Sequence, residues 1–317
     1  MREIGDHEEL VALCSADTLC LWAAQGLDGR CRAWRSTDGQ AVAVAAPGLS
    51  TRDRLAVRGP AGATVGLARE ILAEIGLSYR PLGERELIGA LVDAIPQLVS
   101  VGTFGWMYCR RPGALPSGPI TAGWLPDAAL PEVVALLEVS FPASLAKPGV
   151  AGVGRWAGVR DDAGQLAATG ALAWSAPTIG LLAGVAVHPQ ARGQGLGRDV
   201  CTFLFAEALR RHGAAALMVE EWNHTAQRMY RALGLRYQAL AAAAVPGRKP
   251  RSHRCCRARR ISYAAHTGRT EHPLTRTEAA TQTNHDRAPN GGYGRSHTEA
   301  PITFCNAIGV ADNRSQR

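Results

Sequence analysis

Lysine is almost missing from this chain of 317 residues, in which two lysines stand beside 33 arginines. Neither lysine closes a GxxxxGK run followed by Ser or Thr, so a nucleotide P-loop is excluded. Long apolar runs are missing too, and no stretch approaches the roughly 18 residues needed to cross a bilayer. The first ten residues, "MREIGDHEEL", are acidic rather than basic and apolar, unlike a secretion signal. A soluble, cytoplasmic protein with no membrane partner is expected. The eight cysteines, at 14, 20, 31, 109, 201, 255, 256 and 305, form no CxxC pair and no Cys/His ligand spacing. Free thiols are expected, with neither a metal site nor a disulfide framework.

What is present is a globular composition, 46% apolar and 20% charged, enough to bury one or two cores. The net charge of +8 is unevenly placed. Residues 1–245 hold 22 Lys and Arg against 22 Asp and Glu, whereas residues 246–317 hold 13 against 5. The basic pI therefore describes the tail and not the folded body. From "PGRKPRSHRCCRARR" onward neither a period of 2 nor of 3.6 persists, so 246–317 reads as a disordered basic tail. Its arginines could neutralise phosphates, but aromatic residues are nearly absent among them. Nucleic acid is not the expected partner.

The body reads as two related halves. "RAWRSTDGQAVAVAAPG" (33–48) is a strand, an Asp-Gly turn and a strand; "RWAGVRDDAGQLAATGALAW" (155–174) repeats that arrangement. In the first half the strand "RLAVRG" leads into a helix, "PAGATVGLAREILAEIG", with Val65, Ala68, Ile71, Leu72 and Ile75 on one face. In the second, "IGLLAGVAVHP" leads through a glycine-rich loop into "RDVCTFLFAEALRRHG", where Cys201, Leu204, Phe205 and Ala208 form the stripe. "RRPGALPSGP" is the expected linker. The second half then runs helix, three strands, helix, strand, helix ended by Gly234, and a last strand "RYQALAAAAV". No returning strand is visible after it, so the sheet is expected to end there unpaired.

The loop "VHPQARGQGLGR" (187–198) carries the chemistry. A dinucleotide fingerprint GxGxxG needs a third glycine, but the slot holds Arg198 counted from Gly193 and Val200 counted from Gly195. What remains is Arg192, two spacers, Gly195, one spacer and Gly197, at the start of a helix. Glycines there let the backbone bend and approach a ligand, and the unpaired N–H groups of the first turn attract an anion.

Together with "VEEWNHTAQRMYRALGL", which contributes Asn223, Ala226, Tyr230 and the Gly-Leu at 234 and 235, this loop resembles the two signatures of the GNAT superfamily of N-acetyltransferases. The resemblance covers roughly 126–245. It implies an α/β (α+β) fold with a central mixed, mostly antiparallel sheet flanked by helices and splayed at the cofactor site. It also implies a degenerate GNAT-like copy at 1–125, whose equivalent stretch reads "RGPAGA" (58–63), and an acetyltransferase domain at 126–245. By the same resemblance the strand Val185, Ala186 and Val187 would pair its backbone with the pantetheine arm of acetyl-CoA, the cosubstrate. The N–H groups of Gly193, Gln194, Gly195, Leu196, Gly197 and Arg198 would hold the pyrophosphate, with Arg192 and Arg198 adding charge. Asn223 would sit where the strands part, and Tyr230 matches the general acid.

The acceptor would be a small-molecule or peptide amine, which needs a base. In the family it resembles, many members carry a glutamate base on the strand before the loop, but "TIGLLAGVAV" has no carboxylate. Glu220 and Glu221 stay open as alternatives, and strand alternation turns one toward the cleft. Plainer roles stand beside these: Asn223 as a helix N-cap, Tyr230 as a core residue, His188 as a strand end and Cys201 as a buried, inert thiol. A non-catalytic acyl-CoA sensor is the alternative function, and a homodimer is compatible with either.

Overall fold

A computed structural model describes residues 1–14, 17–110 and 120–247. Most of the expected linker and all but the first two residues of the expected tail lie outside these. In the first half the elements are β1 (Arg2–Ile4), α1 (His7–Cys14), α2 (Thr18–Ala24), β2 (Arg32–Arg35), β3 (Val42–Leu49), β4 (Arg52–Arg58), α3 (Ala61–Ile75), β5 (Arg80–Glu84), α4 (Arg85–Ala94) and β6 (Val99–Cys109). In the second they are β7 (Gly123–Trp124), α5 (Leu130–Ser140), β8 (Val153–Arg160), β9 (Leu166–Ala173), β10 (Gly180–Val187), α6 (Leu196–His212), β11 (Ala215–Glu220), α7 (His224–Ala232) and β12 (Arg236–Ala244). From β2 to β6 and from β8 to β12 the order of strands and helices is the same.

Local chemistry explains the repeated pieces. In each hairpin a turn aspartate accepts backbone N–H groups: Asp38 from Gln40, and Asp161 from Ala163 and Gln165. Such side-chain acceptors stand in for a backbone turn. The stripe on α6 is buried as its periodicity predicts, with Cys201, Leu204, Phe205 and Ala208 all inside. On α3 the buried set is Thr64, Leu67, Ala68, Ile71 and Leu72, while Val65 and Ile75 are half-buried. The buried stripe is thus shifted toward the helix N-terminus, where the Thr64 hydroxyl donates to the Pro60 carbonyl at 2.9 Å.

Among the described residues the twelve strands make one sheet, ordered β1-β2-β3-β4-β5-β12-β6-β11-β10-β9-β8-β7. It is mixed and mostly antiparallel: β4 with β5 and β10 with β11 are parallel, and every other adjacent pair is antiparallel. The expectation that the last strand ends the sheet unpaired is overturned. β12 is interior, joined to β5 from Leu240↔Glu84 to Ala242↔Leu82 and to β6 from Arg236↔Tyr108 to Ala244↔Val99. The returning strand comes from the other half. The last strands are exchanged, with β6 lying beside β11 and β12 beside β5.

Packing follows that exchange. One sheet face carries a core shared by α2, α5 and strands of both halves, including Trp22, Trp106, Leu136, Trp174 and Met218. The Trp22 indole donates to the Trp174 carbonyl at 2.8 Å, and the Trp106 indole to the Thr18 hydroxyl at 2.8 Å. The opposite face carries two separate cores. Under α6 and α7 the second half is completed by Met107 and Cys109 of β6; under α3 and α4 the first half is completed by Ala241 and Ala243 of β12. No helix among the described residues is long and apolar enough to cross a membrane.

Candidate functional site

The site grows from the point where β10 and β11 part. Their ladder runs from Gly180↔Ala215 to Leu182↔Leu217 and ends, while β10 stays paired to β9 as far as Val187↔Ala168. A parallel pair that stops after three residues leaves a wedge between Ala183–Val187 and the end of β11. Alternation divides the walls of this wedge: Val185 and Val187 belong to the core under α6, and Ala186 to the core on the other face.

At the mouth of the wedge the chain turns through Pro189–Ala191 and enters α6. Gly193 and Gly195 have φ of +82° and +83°, a region costing other L-residues roughly 1–2 kcal/mol. A Cβ at either would meet nothing within 4 Å, so conformation and not crowding demands glycine here. Gly195 is the N-cap and brings no side chain to the first turn. Among the described residues the N–H groups of Gly193 to Gly197 have no backbone acceptor, whereas that of Arg198 donates to the Gly195 carbonyl at 2.9 Å. Arg192 adds a guanidinium whose Nε is buried and has no hydrogen-bond partner among the described residues. Free N–H groups, a helix dipole and a guanidinium with an unpartnered Nε together suit a pyrophosphate. The carboxylate of Asp199 in the same turn accepts from the Thr121 hydroxyl at 2.8 Å.

Tyr230 lies on α7 with 1% exposure, in one core with Val185, Val187 and Cys201. Its hydroxyl lies against the Cys201 thiol. Burial pushes that thiol up to about 12, against a smaller downward pull from Tyr230. Cys201 is thus a neutral neighbour for the phenol. Asn223 is the N-cap of α7, its Oδ1 accepting from the Ala226 N–H at 3.1 Å. Gln227, which no motif singled out, is buried and donates to the carbonyls of Glu220 at 3.2 Å and Glu221 at 2.8 Å. It fixes the end of β11 to α7.

Glu220 and Glu221 follow directly at that end. The Glu221 carboxylate accepts from the Thr103 hydroxyl of β6 at 2.7 Å and is ion-paired with Arg85, the first residue of α4. Both partners come from the first half. His188 lines a cavity of about 460 Å³ with Glu132, Asp161, Gln165, Gln190 and Gln194. Among the described residues no cluster of His, Cys, Asp and Glu is placed to hold a metal ion.

The equivalent loop in the first half is built differently. Gly59 has φ of +127°, and a Cβ there would lie 2.6 Å from the Gln40 carbonyl and 2.7 Å from the Ala41 Cα. Pro60 caps α3 and has no N–H to offer. This loop packs against its own hairpin where its counterpart is open.

Residues 138–235 match the family model described as the acetyltransferase (GNAT) family. Among solved structures the chain is similar to a GCN5-related N-acetyltransferase from Kribbella flavida, with 20% identity, 74% of this chain and 97% of that one covered, and a TM-score of 0.49. It is similar also to an acetyltransferase of the GNAT family from Colwellia psychrerythraea, with 11% identity, coverages of 77% and 98%, and a TM-score of 0.43. A third, from Sphaerobacter thermophilus, shares 14% identity over 74% of this chain and 84% of its own, with a TM-score of 0.43. No curated protein matches the chain.

Proposed function

Residues 138–235 match the acetyltransferase (GNAT) family model, and on that premise we propose that the protein moves an acetyl group from acetyl-CoA to a primary amine. The observation that carries this reading is the open first turn of α6, with Gly193 and Gly195 in left-handed conformations and the Arg192 Nε unsatisfied beside them. These residues would hold the pyrophosphate. The wedge between β10 and β11 would take the pantetheine arm, whose amides can pair with a strand edge. Acetyl-CoA supplies the activated carbonyl that an amine attacks. Tyr230 is the group on the α7 side able to donate a proton to the departing thiolate, since a phenol of reference pKa about 10 is protonated at neutral pH.

Calorimetric titration of acetyl-CoA into the full chain, beside a Gly195→Glu variant, tests this reading. Micromolar binding that disappears in the variant supports it, because the new carboxylate faces the phosphates and the backbone is strained. A folded wild type that binds no acetyl-CoA overturns it. One observation favours the non-catalytic acyl-CoA sensor: β10 brings no carboxylate to the wedge. A bound but inert protein, with no turnover on any of a panel of primary amines, would establish that second function.

A further inference from the structure

The end of β4, the strand that stands in the first half where β10 stands in the second, meets two thiols. Arg58 is its last residue. The Arg58 guanidinium donates to the Leu13 carbonyl at 2.7 Å and pairs with the Asp17 carboxylate at 3.6 Å. Asp17 is the N-cap of α2: its Oδ1 accepts from the Cys20 N–H at 2.9 Å, and its own N–H donates to the Cys14 carbonyl at 2.9 Å. These bonds fold the last turn of α1 onto the first turn of α2. Cys14 and Cys20 meet there in a hydrogen bond between their side chains, and both are fully buried in one core.

We propose that Cys14 and Cys20 are a redox-active dithiol that hydrogen peroxide oxidises to an intramolecular disulfide, with Cys14 as the attacking thiol and Cys20 as the resolving one. The surroundings set the roles. The Cys20 thiol donates to Cys14 and Arg58 adds an N–H and a positive charge, which together outweigh burial and the Asp17 carboxylate and hold the Cys14 thiol below its ordinary range. Cys20 is pushed well above that range by its bond to Cys14, by burial and by Asp17. A thiolate is the nucleophile, and a second thiol in contact captures its oxidised form before oxidation goes further. The Cys14 thiolate attacks one peroxide oxygen, the oxygen–oxygen bond breaks, and hydroxide leaves as water with the proton that Cys14 gave up. Cys14 is then a sulfenic acid. The Cys20 sulfur attacks the Cys14 sulfur, the sulfur–oxygen bond breaks, and a second water leaves with the Cys20 proton. The dithiol has lost two electrons and the peroxide has gained them.

Burial selects the oxidant, because a sulfur without exposed surface suits a molecule little larger than water and not a bulky disulfide. Entry goes through α1, a helix of eight residues with only Leu10 and Cys14 buried, whose local opening is easier than unfolding of the body. The disulfide ties α1 to α2, the helix whose Thr18 and Trp22 hold Trp106 of β6 and the Trp174 carbonyl.

Peroxide treatment of the full chain under native conditions, followed by alkylation in denaturant, tryptic digestion and mass spectrometry, tests this assignment. The peptide 3–30 contains Cys14 and Cys20 and no other cysteine. It should lose two hydrogens and resist alkylation, and dithiothreitol should restore it. Cys31, pushed up to about 11 by burial and Asp28, and Cys201, pushed up to about 12 by burial, should still alkylate. In Cys20→Ser a 1,3-diketone should trap a sulfenic acid on Cys14; in Cys14→Ser the adduct on Cys20 should be about tenfold less. Equal trapping in the two variants overturns the division of roles. In the wild type, a peptide 3–30 that stays fully alkylatable, a sulfinic acid on either sulfur, or a bond from either to another cysteine overturns the dithiol itself, and this readout needs no variant to fold.

Discussion

Exchange of the last strands makes a residue of the first half part of the core that surrounds Tyr230, and Met107→Ala measures that dependence. Met107 is fully buried, in register with Leu217 of β11 on one side and Tyr237 of β12 on the other. Both neighbours are fixed by ladder hydrogen bonds, so the space left by the thioether chain cannot close easily. The loss should be about 3 kcal/mol, within the usual span for a buried Met→Ala change. For about 250 folded residues this lowers the melting temperature by roughly 6–12 °C. The assay is thermal unfolding followed by both circular dichroism and tryptophan fluorescence, with acetyl-CoA affinity measured on the folded variant. One cooperative transition, shifted as a whole and accompanied by weaker acetyl-CoA binding, is expected. The converse change, Ala243→Asp in β12, puts an unpaired carboxylate under α3 and α4 and should shift the same transition. Two separated transitions, with the second half and its acetyl-CoA affinity untouched by Met107→Ala, would refute the exchange.

Two further outcomes follow from the site. Tyr230→Phe should lower kcat by only about tenfold and leave acetyl-CoA affinity unchanged, because a thiol of reference pKa about 8.5 departs without much help; complete inactivity at unchanged affinity would mean that the phenol does more than donate a proton. Cys201 should make the protein sensitive to alkali: its folded pKa is raised from 9.0 to about 12, so the unfolded chain loses this proton first. The associated stability is fully present below about pH 9 and falls by about 1.4 kcal/mol per pH unit toward pH 12. Urea midpoints of wild type and Cys201→Ala, measured from pH 8 to 10.5, should converge as pH rises, and parallel curves would refute that assignment.

The loop, the helix after it and both hairpins were legible because each rests on short-range spacing. Arg192, Gly195 and Gly197 stand within one turn of the α6 start, and the buried stripe of α6 repeats at three and four residues. The path of β12 was not legible. Alternation tells which side chains share a face, yet a strand such as "RYQALAAAAV", with small residues on both faces, suits either half. β6 escaped notice for a related reason: Phe104, Trp106, Met107 and Cys109 are buried on both faces, so the segment lacks the apolar and polar alternation of a half-exposed strand. The partners of Glu221 lie at positions 85 and 103, more than a hundred residues away. No local pattern encodes that distance.

The loop of the first half would suggest a copy with nothing left to do, since Gly59 is packed against Gln40 and Ala41 and Pro60 at the α3 N-cap has no N–H. The sheet argues otherwise. Without β6, β11 has no neighbour on the side away from β10, the core under α6 and α7 loses Met107 and Cys109, and Glu221 loses Thr103. Without α4, Glu221 loses its ion pair with Arg85 as well. The wedge between β10 and β11 needs both of its walls held in place, and one of them is braced by the half that carries no open loop. Binding chemistry in the first half can therefore be dispensed with while its last strand cannot, and substitutions at 99–109 should weaken acetyl-CoA binding more than substitutions around Gly59.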